Sequence, residues 1–173
     1  MEKIRAFFSG GKVYSNAKEA FSLEEKENFG EKEKDKIFYS SFEAVFLADE
    51  KKMIIYDLKE KEISQNKLIS FYEKKDKNFS LLYLVFKDLR KKGYVVKNAL
   101  KFGADFRVYE KGGKMGQSHS KWLVSVFSEN DKIFFKDFFA KNRVAHSTNK
   151  ILMLAIVDEE NDVSYYENYW RKL

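Results

Sequence analysis

The sequence has no cysteine and no proline among its 173 residues, and it has only two histidines. Without cysteine, a disulfide scaffold and every thiolate-ligated metal site are excluded, and two histidines are too few for a histidine-rich metal centre. No segment approaches the ~20 consecutive apolar residues that a membrane-spanning helix requires. The N-terminal run MEKIRAFFSGGK holds only a short apolar patch. These absences predict a soluble, cytoplasmic protein without a membrane partner.

Aromatic and charged side chains are abundant instead. Hydrophobic residues make up 44% of the chain and aromatic residues 17%, enough for the core of one large domain or two small ones. The formal net charge is +6, although 27 acidic residues offset most of the 33 basic ones. This balance favours a focused basic site over a uniformly polycationic surface.

The first half of the chain predicts a small mixed α/β domain over residues 1–78. A hairpin is expected around Gly10-Gly11, and the following run SNAKEAFSLEEKENFG suggests strand or helical turns. A short helix is expected over Ser41–Glu50, with its serine as N-cap. Met53–Tyr56 is typical of a strand, and the apolar spacing within Ser64–Asp76 is close to helical.

The second half, residues 79–173, predicts an α/β domain with a central mixed sheet flanked by helices. Its first helix has apolar residues at steps of three and four from Leu81 to Leu89, with Ser80 as N-cap and Gly93 beyond its end. Three strand-like runs follow, YVVKNALKFG, ADFRVYEKG and SKWLVSVFS. A second helix is expected over Phe134–Asn142. The apolar run ILMLAIVD then suits a strand buried on both faces, and SYYENYWRKL suits a final aromatic strand.

Several motifs of this half occur in a specific order. LRKKGYVVK precedes KFGADFRVYEKG, an HS pair then heads a strand, and RVAHSTNK precedes the next strand. This series resembles the catalytic half of archaeal tRNA-splicing endonucleases, whereas the first half of the chain resembles them only in general organisation. The resemblance implies an enzyme that cuts intron-containing precursor tRNA at both intron boundaries in a bulge–helix–bulge motif. It also implies cleavage without metal or other cofactor, leaving 2′,3′-cyclic phosphate and 5′-hydroxyl ends.

Metal-free RNA cleavage needs a base for the 2′-hydroxyl, an acid for the leaving 5′-oxygen and a cation near the phosphate. On the matching motif positions, the resemblance assigns these roles to Tyr109, His119 and Lys150, in that order. A tyrosine with a pKa near ~10 is a poor base until neighbouring cations lower that pKa. Without the motifs, Tyr109 would be read as a packing tyrosine, Lys150 as solvated charge and His119 as structural.

Other residues receive roles from the same resemblance. His146 is a second candidate for the catalytic histidine, although hydrogen bonding in support of the Lys150 segment is its implied role. Arg143 matches a position that stacks on a base of the bulge, and its alternative is an exposed arginine at a helix end. A second stacking arginine has no clear counterpart, with Arg171 as a candidate. Glycines stand in the loop before the HS pair, where many relatives have proline.

An acidic loop lies between the last two predicted strands. Read alone it is a solvated turn, but the resemblance implies that it docks into a basic groove of an opposing subunit. Its acidic members are Asp158, Glu159, Glu160 and Asp162. The resemblance further implies that the C-terminal strand pairs across a dimer interface. The chain has the length of one catalytic unit, so it would form a homotetramer, or a heterotetramer with a second endonuclease subunit. The presence of both triad and acidic loop favours the homotetramer.

Two other functions remain compatible with the residues. One is a non-catalytic RNA-binding or structural subunit of the same assembly, which the intact triad positions argue against. The other is a metal-dependent nuclease of the restriction-enzyme type, for which Asp105 and Glu110 are available, although no acid–x–lysine pattern lies in the expected strand context. Cleavage in EDTA distinguishes this second alternative.

Overall fold

The chain, seen here in a computed structural model that describes residues 2–113, 116 and 118–171, divides into two compact units, Met1–Ser80 and Leu81–Leu173. Each unit contains one five-stranded sheet with both parallel and antiparallel pairs, accompanied by helices. The predicted α/β (α+β) class is therefore confirmed. None of the helices within the described ranges is long and apolar enough to cross a membrane.

The N-terminal sheet has the strand order β3-β4-β2-β1-β5. Its strands are β1 (Ile4–Ser9), β2 (Lys12–Ser15), β3 (Glu31–Glu33), β4 (Lys36–Tyr39) and β5 (Met53–Tyr56). β1 and β5 pair in parallel and the other neighbours are antiparallel. The predicted hairpin is confirmed, since Gly10 and Gly11 join β1 to β2 with φ angles of 59° and 86° that favour glycine.

Three helices accompany this sheet: α1 (Lys18–Glu27), α2 (Ser41–Asp49) and α3 (Gln65–Glu73). The predicted cap of α2 is shifted by one residue, because Ser40 and not Ser41 caps the helix. The Ser40 hydroxyl accepts the Glu43 N–H at 3.2 Å, and the Glu43 carboxylate accepts the Ser40 N–H at 2.9 Å. The same carboxylate accepts the N–H of Gly30 at 3.0 Å, although Glu43 is only 3% exposed. It therefore ties the start of α2 to the chain before β3.

Replacing Glu43 with glutamine is expected to lower the free energy of unfolding by about 1–3 kcal/mol, because an amide NH₂ then faces one of two buried N–H donors. Urea unfolding of the purified protein measures the change. Glu25→Gln, at an exposed position of α1, is the control and should change stability by less than about 0.5 kcal/mol. Equal stability of the two variants would contradict a structural role for the buried carboxylate.

The C-terminal sheet has the strand order β10-β9-β8-β7-β6. Its strands are β6 (Val95–Asn98), β7 (Phe106–Tyr109), β8 (Trp122–Ser128), β9 (Ile151–Val157) and β10 (Val163–Asn168). Only β8 and β9 are parallel, and the helix α5 (Phe135–Ser147) crosses between them. Another helix, α4 (Phe79–Lys91), precedes the sheet, and a short 3₁₀ helix, Leu100–Phe102, follows β6.

Apolar side chains cover both faces of this sheet. On one face, Phe86 of α4 packs on Phe106 of β7, with ring centroids 6.0 Å apart. On the other face, Leu123 and Leu152 form a buried cluster with Ala145 of α5 and two further alanines. The predicted apolar strand ILMLAIVD is confirmed as the inner strand β9.

Two predicted helix limits in the C-terminal half need correction, the start of α4 and the end of α5. Ser80 is not the N-cap of α4, because the helix already includes Phe79, whose ring stacks on Phe42 at 5.0 Å. The Ser80 hydroxyl donates to Glu73 instead, at 2.5 Å. The helix expected to end at Asn142 continues to Ser147 as α5, since its final carbonyl groups accept N–H donors from the chain that leads into β9.

Candidate active site at one edge of the C-terminal sheet

The strand directions bring three chain segments to the same edge of the C-terminal sheet. β7 and β8 are antiparallel, with Val108 opposite Trp122, and β8 and β9 are parallel, with Trp122 beside Ile151. The end of β7 therefore meets the beginnings of β8 and β9. Strands lie ~4.8 Å apart, so the backbones of β7 and β9 are separated by roughly 10 Å at this edge.

All three candidate catalytic residues lie at this edge. Tyr109 is the last residue of β7, Lys150 immediately precedes β9, and His119 lies shortly before the start of β8. The three thus occupy adjacent strand ends, although 41 positions separate the first from the last in the sequence.

Tyr109 is nearly buried, with 5% of its surface exposed. The loop that follows it folds back, because the Gly113 N–H donates to the carbonyl oxygen of Glu110 at 3.0 Å. A Cβ atom at Gly113 would lie 3.1 Å from the Ser118 hydroxyl and 3.5 Å from the Tyr109 Cβ. Glycine at this position therefore permits the residue before His119 to approach the end of β7.

His119 is exposed and follows a loop of which Lys114, Met115 and Gln117 lie outside the described residues. An ion pair between Glu110 and Lys121 closes the base of this loop. The hydrogen bond to Glu110 is the main cause that raises the pKa of the Lys121 ammonium group. The loop that carries His119 is thereby held at both of its ends.

The backbone at the start of β8 departs from a regular ladder. The Lys121 N–H donates to the Val108 carbonyl at 2.9 Å, although the register pairs Val108 with Trp122. Lys121, just before β8, and Trp122, its first residue, thus both face Val108 of β7, as in a β-bulge. The Lys121 ammonium group accordingly lies over the ring of its neighbour Trp122, at 4.8 Å from the centroid.

Lys150 has a fixed backbone and a loosely held side chain. Its N–H donates to the Ala145 carbonyl at 2.8 Å, and Asn149 before it adopts a left-handed φ of 56°. The residue is half-buried, and its Nζ donates to the Thr148 carbonyl oxygen at 3.4 Å and lies 6.0 Å from the ring centroid of Phe102. The ammonium group is therefore available to a ligand at the sheet edge.

The remaining histidine contacts an aromatic residue that the sequence reasoning did not single out. The ring of His146 lies 4.4 Å from that of Trp170, which is 53% exposed. The support that His146 gives to the Lys150 segment comes from its backbone, since its carbonyl accepts the Asn149 N–H at 3.0 Å. Arg143 lies exposed on α5, and Arg171 lies exposed beyond β10.

The acidic loop joins β9 to β10 at the opposite edge of the sheet. Asp158 accepts the N–H groups of Glu160 and Asp162, each at 2.9 Å, so this carboxylate holds the turn itself. The N–H of Glu159 donates to the Glu129 carboxylate at 2.8 Å. Glu129 thus adds a negative charge from the end of β8 that was not part of the predicted loop.

The acids that a metal-dependent mechanism would use lie at opposite ends of β7. Asp105 precedes the strand and accepts the Val126 N–H at 2.8 Å, whereas Glu110 follows the strand and pairs with Lys121. Among the described residues, no group of three or more histidine, aspartate or glutamate side chains is arranged to hold a metal ion.

Comparisons with known proteins identify the family of this chain. The family model "tRNA intron endonuclease, catalytic C-terminal domain" matches residues 79–165, and the corresponding N-terminal domain model matches residues 4–69. A tRNA-splicing endonuclease of Pyrococcus furiosus is 42% identical over 98% of this chain and 97% of its own. One from Methanothermobacter thermautotrophicus is 40% identical over 86% of this chain and 85% of its own. The resemblance found in the motifs is confirmed, and the chain belongs to the tRNA intron endonuclease family.

Proposed function

We propose that the protein is a cytoplasmic tRNA-splicing endonuclease that cuts precursor tRNA at both intron boundaries within a bulge–helix–bulge. The observation that carries the proposal is the position of Tyr109, His119 and Lys150 at three adjacent strand ends of one sheet edge. Residues 79–173 act as the catalytic domain, and residues 1–78 act as a scaffold domain.

The three side chains supply a complete transfer reaction without a metal or other cofactor. Tyr109 takes the proton of the 2′-hydroxyl, and the 2′-oxygen then attacks the adjacent phosphorus. The bond from phosphorus to the 5′-oxygen breaks, and His119 gives its proton to that oxygen. Lys150 offsets the negative charge that develops on the phosphoryl oxygens. The products are a 2′,3′-cyclic phosphate and a 5′-hydroxyl.

Arg143 and Arg171 are proposed to contact the unpaired bases of the bulge. A guanidinium plane can stack on a base, and both arginines lie exposed. Arg143 projects from α5, the helix that leads towards Lys150. Shape and unpaired bases, more than base sequence, would then select the RNA.

The test of the activity uses the purified chain alone, a bulge–helix–bulge precursor tRNA and excess EDTA. We expect two cuts, with cyclic phosphate on the 3′ ends and hydroxyl on the 5′ ends. Cutting that requires Mg²⁺ would instead support the restriction-type nuclease. Activity that appears only after a second subunit is added would support a heterotetramer, and inactivity in both settings would contradict the proposed function.

We further propose that four copies assemble through the acidic turn and the C-terminal strand. Within the part of the chain that the structure describes, β10 pairs with β9 alone, so its other side is an edge that a second β10 can extend. Glu159, Glu160 and Asp162 are exposed on the turn, which Asp158 holds in shape. A basic groove on another subunit would bind this turn.

The double substitution Glu160→Lys with Asp162→Lys is expected to convert tetramers into smaller species, because it places positive charge against a basic groove. Association should weaken by about tenfold or more. The turn should persist, since both residues bond to Asp158 through their backbones. Analytical ultracentrifugation measures the change, with the exposed pair Glu25→Lys and Glu33→Lys as the charge-matched control. Equal sedimentation of both variants as tetramers would contradict the docking role.

A further inference from the structure

A cavity of about 180 Å³ lies in the C-terminal unit on the α4 face of the sheet. Its lining includes Leu89 of α4, Val108 of β7 and Trp122 of β8, together with Tyr94, Tyr165 and Glu167. This volume is several times the ~30 Å³ that one water occupies, and it is below the ~300 Å³ of pockets for drug-sized ligands. The cavity therefore suits a single ring system.

We propose that this cavity is a binding pocket for one unpaired nucleobase of the RNA substrate, separate from the candidate catalytic residues and from Arg143. The proposal takes RNA as the ligand and so rests on the proposed function. Val108 immediately precedes Tyr109, and Trp122 begins β8 just after the loop that carries His119. A base in the cavity would thus hold its backbone close to the cleavage edge.

The walls of the cavity carry three aromatic rings, each with a lysine ammonium group over it. Lys92 lies 5.0 Å from the centroid of Tyr165, and Lys111 lies 5.1 Å from that of Tyr94. Lys121 covers Trp122 in the same way, and the Tyr94 and Trp122 rings meet edge to face at 5.8 Å. Aromatic faces interleaved with cations are typical of surfaces that bind single-stranded nucleic acid.

The charges around the cavity select a neutral planar group over a free anion. Lys92 pairs with Asp88 at 2.6 Å, and Lys121 pairs with Glu110. Glu167 accepts the indole N–H of Trp122 at 2.5 Å. Since carboxylates thus accompany the ammonium groups, phosphate alone gains little here. A base can instead stack on the rings and donate its N–H groups to the Glu167 carboxylate.

The lysines can leave the rings when a base enters. An exposed cation–π contact contributes about 0.5–1 kcal/mol, whereas stacking of a base on an aromatic side chain contributes about 1–3 kcal/mol. The ring of Tyr165 has a second anchor besides Lys92, because the Tyr165 hydroxyl donates to Asp88 at 2.6 Å. Burial, followed by this hydrogen bond, raises the pKa of Tyr165, so its hydroxyl keeps the donated proton.

The test follows the indole N–H signal of Trp122 by NMR while adenosine 5′-monophosphate is added to the full chain. The chain has two tryptophans, so Trp170→Phe identifies the signal. Ribose 5-phosphate, which lacks the base, is the ligand control. We expect a saturable shift with the nucleotide and none with ribose 5-phosphate. No shift with the nucleotide, or equal shifts with both ligands, would overturn the proposal.

Variants of β10 make the test specific to the cavity. Tyr165→Leu is expected to weaken nucleotide binding roughly five- to hundredfold, the range for loss of one stacking ring. Tyr166→Leu is the matched control, because this neighbouring tyrosine is 57% exposed and does not line the cavity. Tyr165→Phe keeps the ring but loses the hydrogen bond to Asp88, and it should bind the nucleotide more tightly than Tyr165→Leu does. Equal weakening in Tyr165→Leu and Tyr166→Leu, or equally weak binding by Tyr165→Phe and Tyr165→Leu, would contradict base stacking.

Cleavage assays separate this pocket from the proposed function. With precursor tRNA, Tyr165→Leu should raise KM by a similar factor and leave kcat within about twofold, because a uniform binding contact is lost. An inactive wild type combined with nucleotide binding would refute the endonuclease activity alone. An active wild type without nucleotide binding would refute the pocket alone.

Discussion

Replacing His119 with alanine is expected to reduce cleavage of precursor tRNA in EDTA by about 10²- to 10⁴-fold, the usual contribution of a general acid. The leaving 5′-oxygen would then depart as an unprotonated alkoxide. The side chain is exposed, so its loss should leave the fold unchanged. Single-turnover rates at saturating enzyme measure the effect. His146→Ala is the matched control, and its rate should stay within about threefold, because this imidazole packs on Trp170.

A modified substrate separates the role of acid from other roles of the same histidine. If sulfur replaces the 5′-oxygen at the cut, the leaving thiolate needs little protonation. The His119→Ala variant should then cut the sulfur substrate at nearly the wild-type rate. If the His119→Ala variant also cuts the sulfur substrate slowly, His119 acts in another way than as an acid. If the variant cuts the oxygen substrate at the full rate, His119 takes no part in the reaction.

Replacing Lys150 with methionine is expected to lower kcat by about 10²- to 10³-fold, comparable to removal of one group that stabilises a developing oxyanion. Methionine keeps an unbranched apolar chain that can still contact Phe102, and the backbone N–H bond to Ala145 is unaffected. The loss should therefore arise from the missing ammonium charge. Lys136→Met, on the exposed start of α5, is the control for net charge.

Whether the loss of activity in Lys150→Met lies in kcat or in KM identifies the role of this lysine. Stabilisation of the transition state alone lowers kcat with little change in KM. A loss confined to KM would mean that Lys150 binds the RNA equally before and during reaction. If Lys150→Met and Lys136→Met lost equal activity, the effect would come only from the general attraction between a positive protein and the RNA polyanion.

Elements with strong local patterns were predictable, and their limits were not. The apolar steps from Leu81 to Leu89 and the run ILMLAIVD fix a helix and a buried strand, because burial requires those periods. The start of α4 depends on Phe79 stacking on Phe42, a contact between residues distant in the sequence. The end of α5 depends on backbone hydrogen bonds to the chain before β9, and residue types alone do not indicate such bonds.

The candidate site, too, could be predicted from the sequence only in part. The order of the motifs locates Tyr109, His119 and Lys150, and the strand directions then explain why distant positions share one sheet edge. The near-complete burial of Tyr109 was not foreseen, because burial depends on the tertiary structure around the end of β7. The pairing of Glu110 with Lys121 also depends on the return of the chain after that loop. Pairwise contacts of this kind require the tertiary structure.

The length of the two parallel strands has an evolutionary consequence. β8 and β9 have seven residues each, so at ~3.3 Å per residue roughly 20 Å separates the edge with His119 from the turn at Asp158. Substitutions this far apart usually have independent, additive effects. Because the proposed chemistry and the proposed docking turn lie so far apart, a duplicated gene could lose the first in one copy and change the second in the other. One ancestral chain can in this way give rise to two specialised subunits.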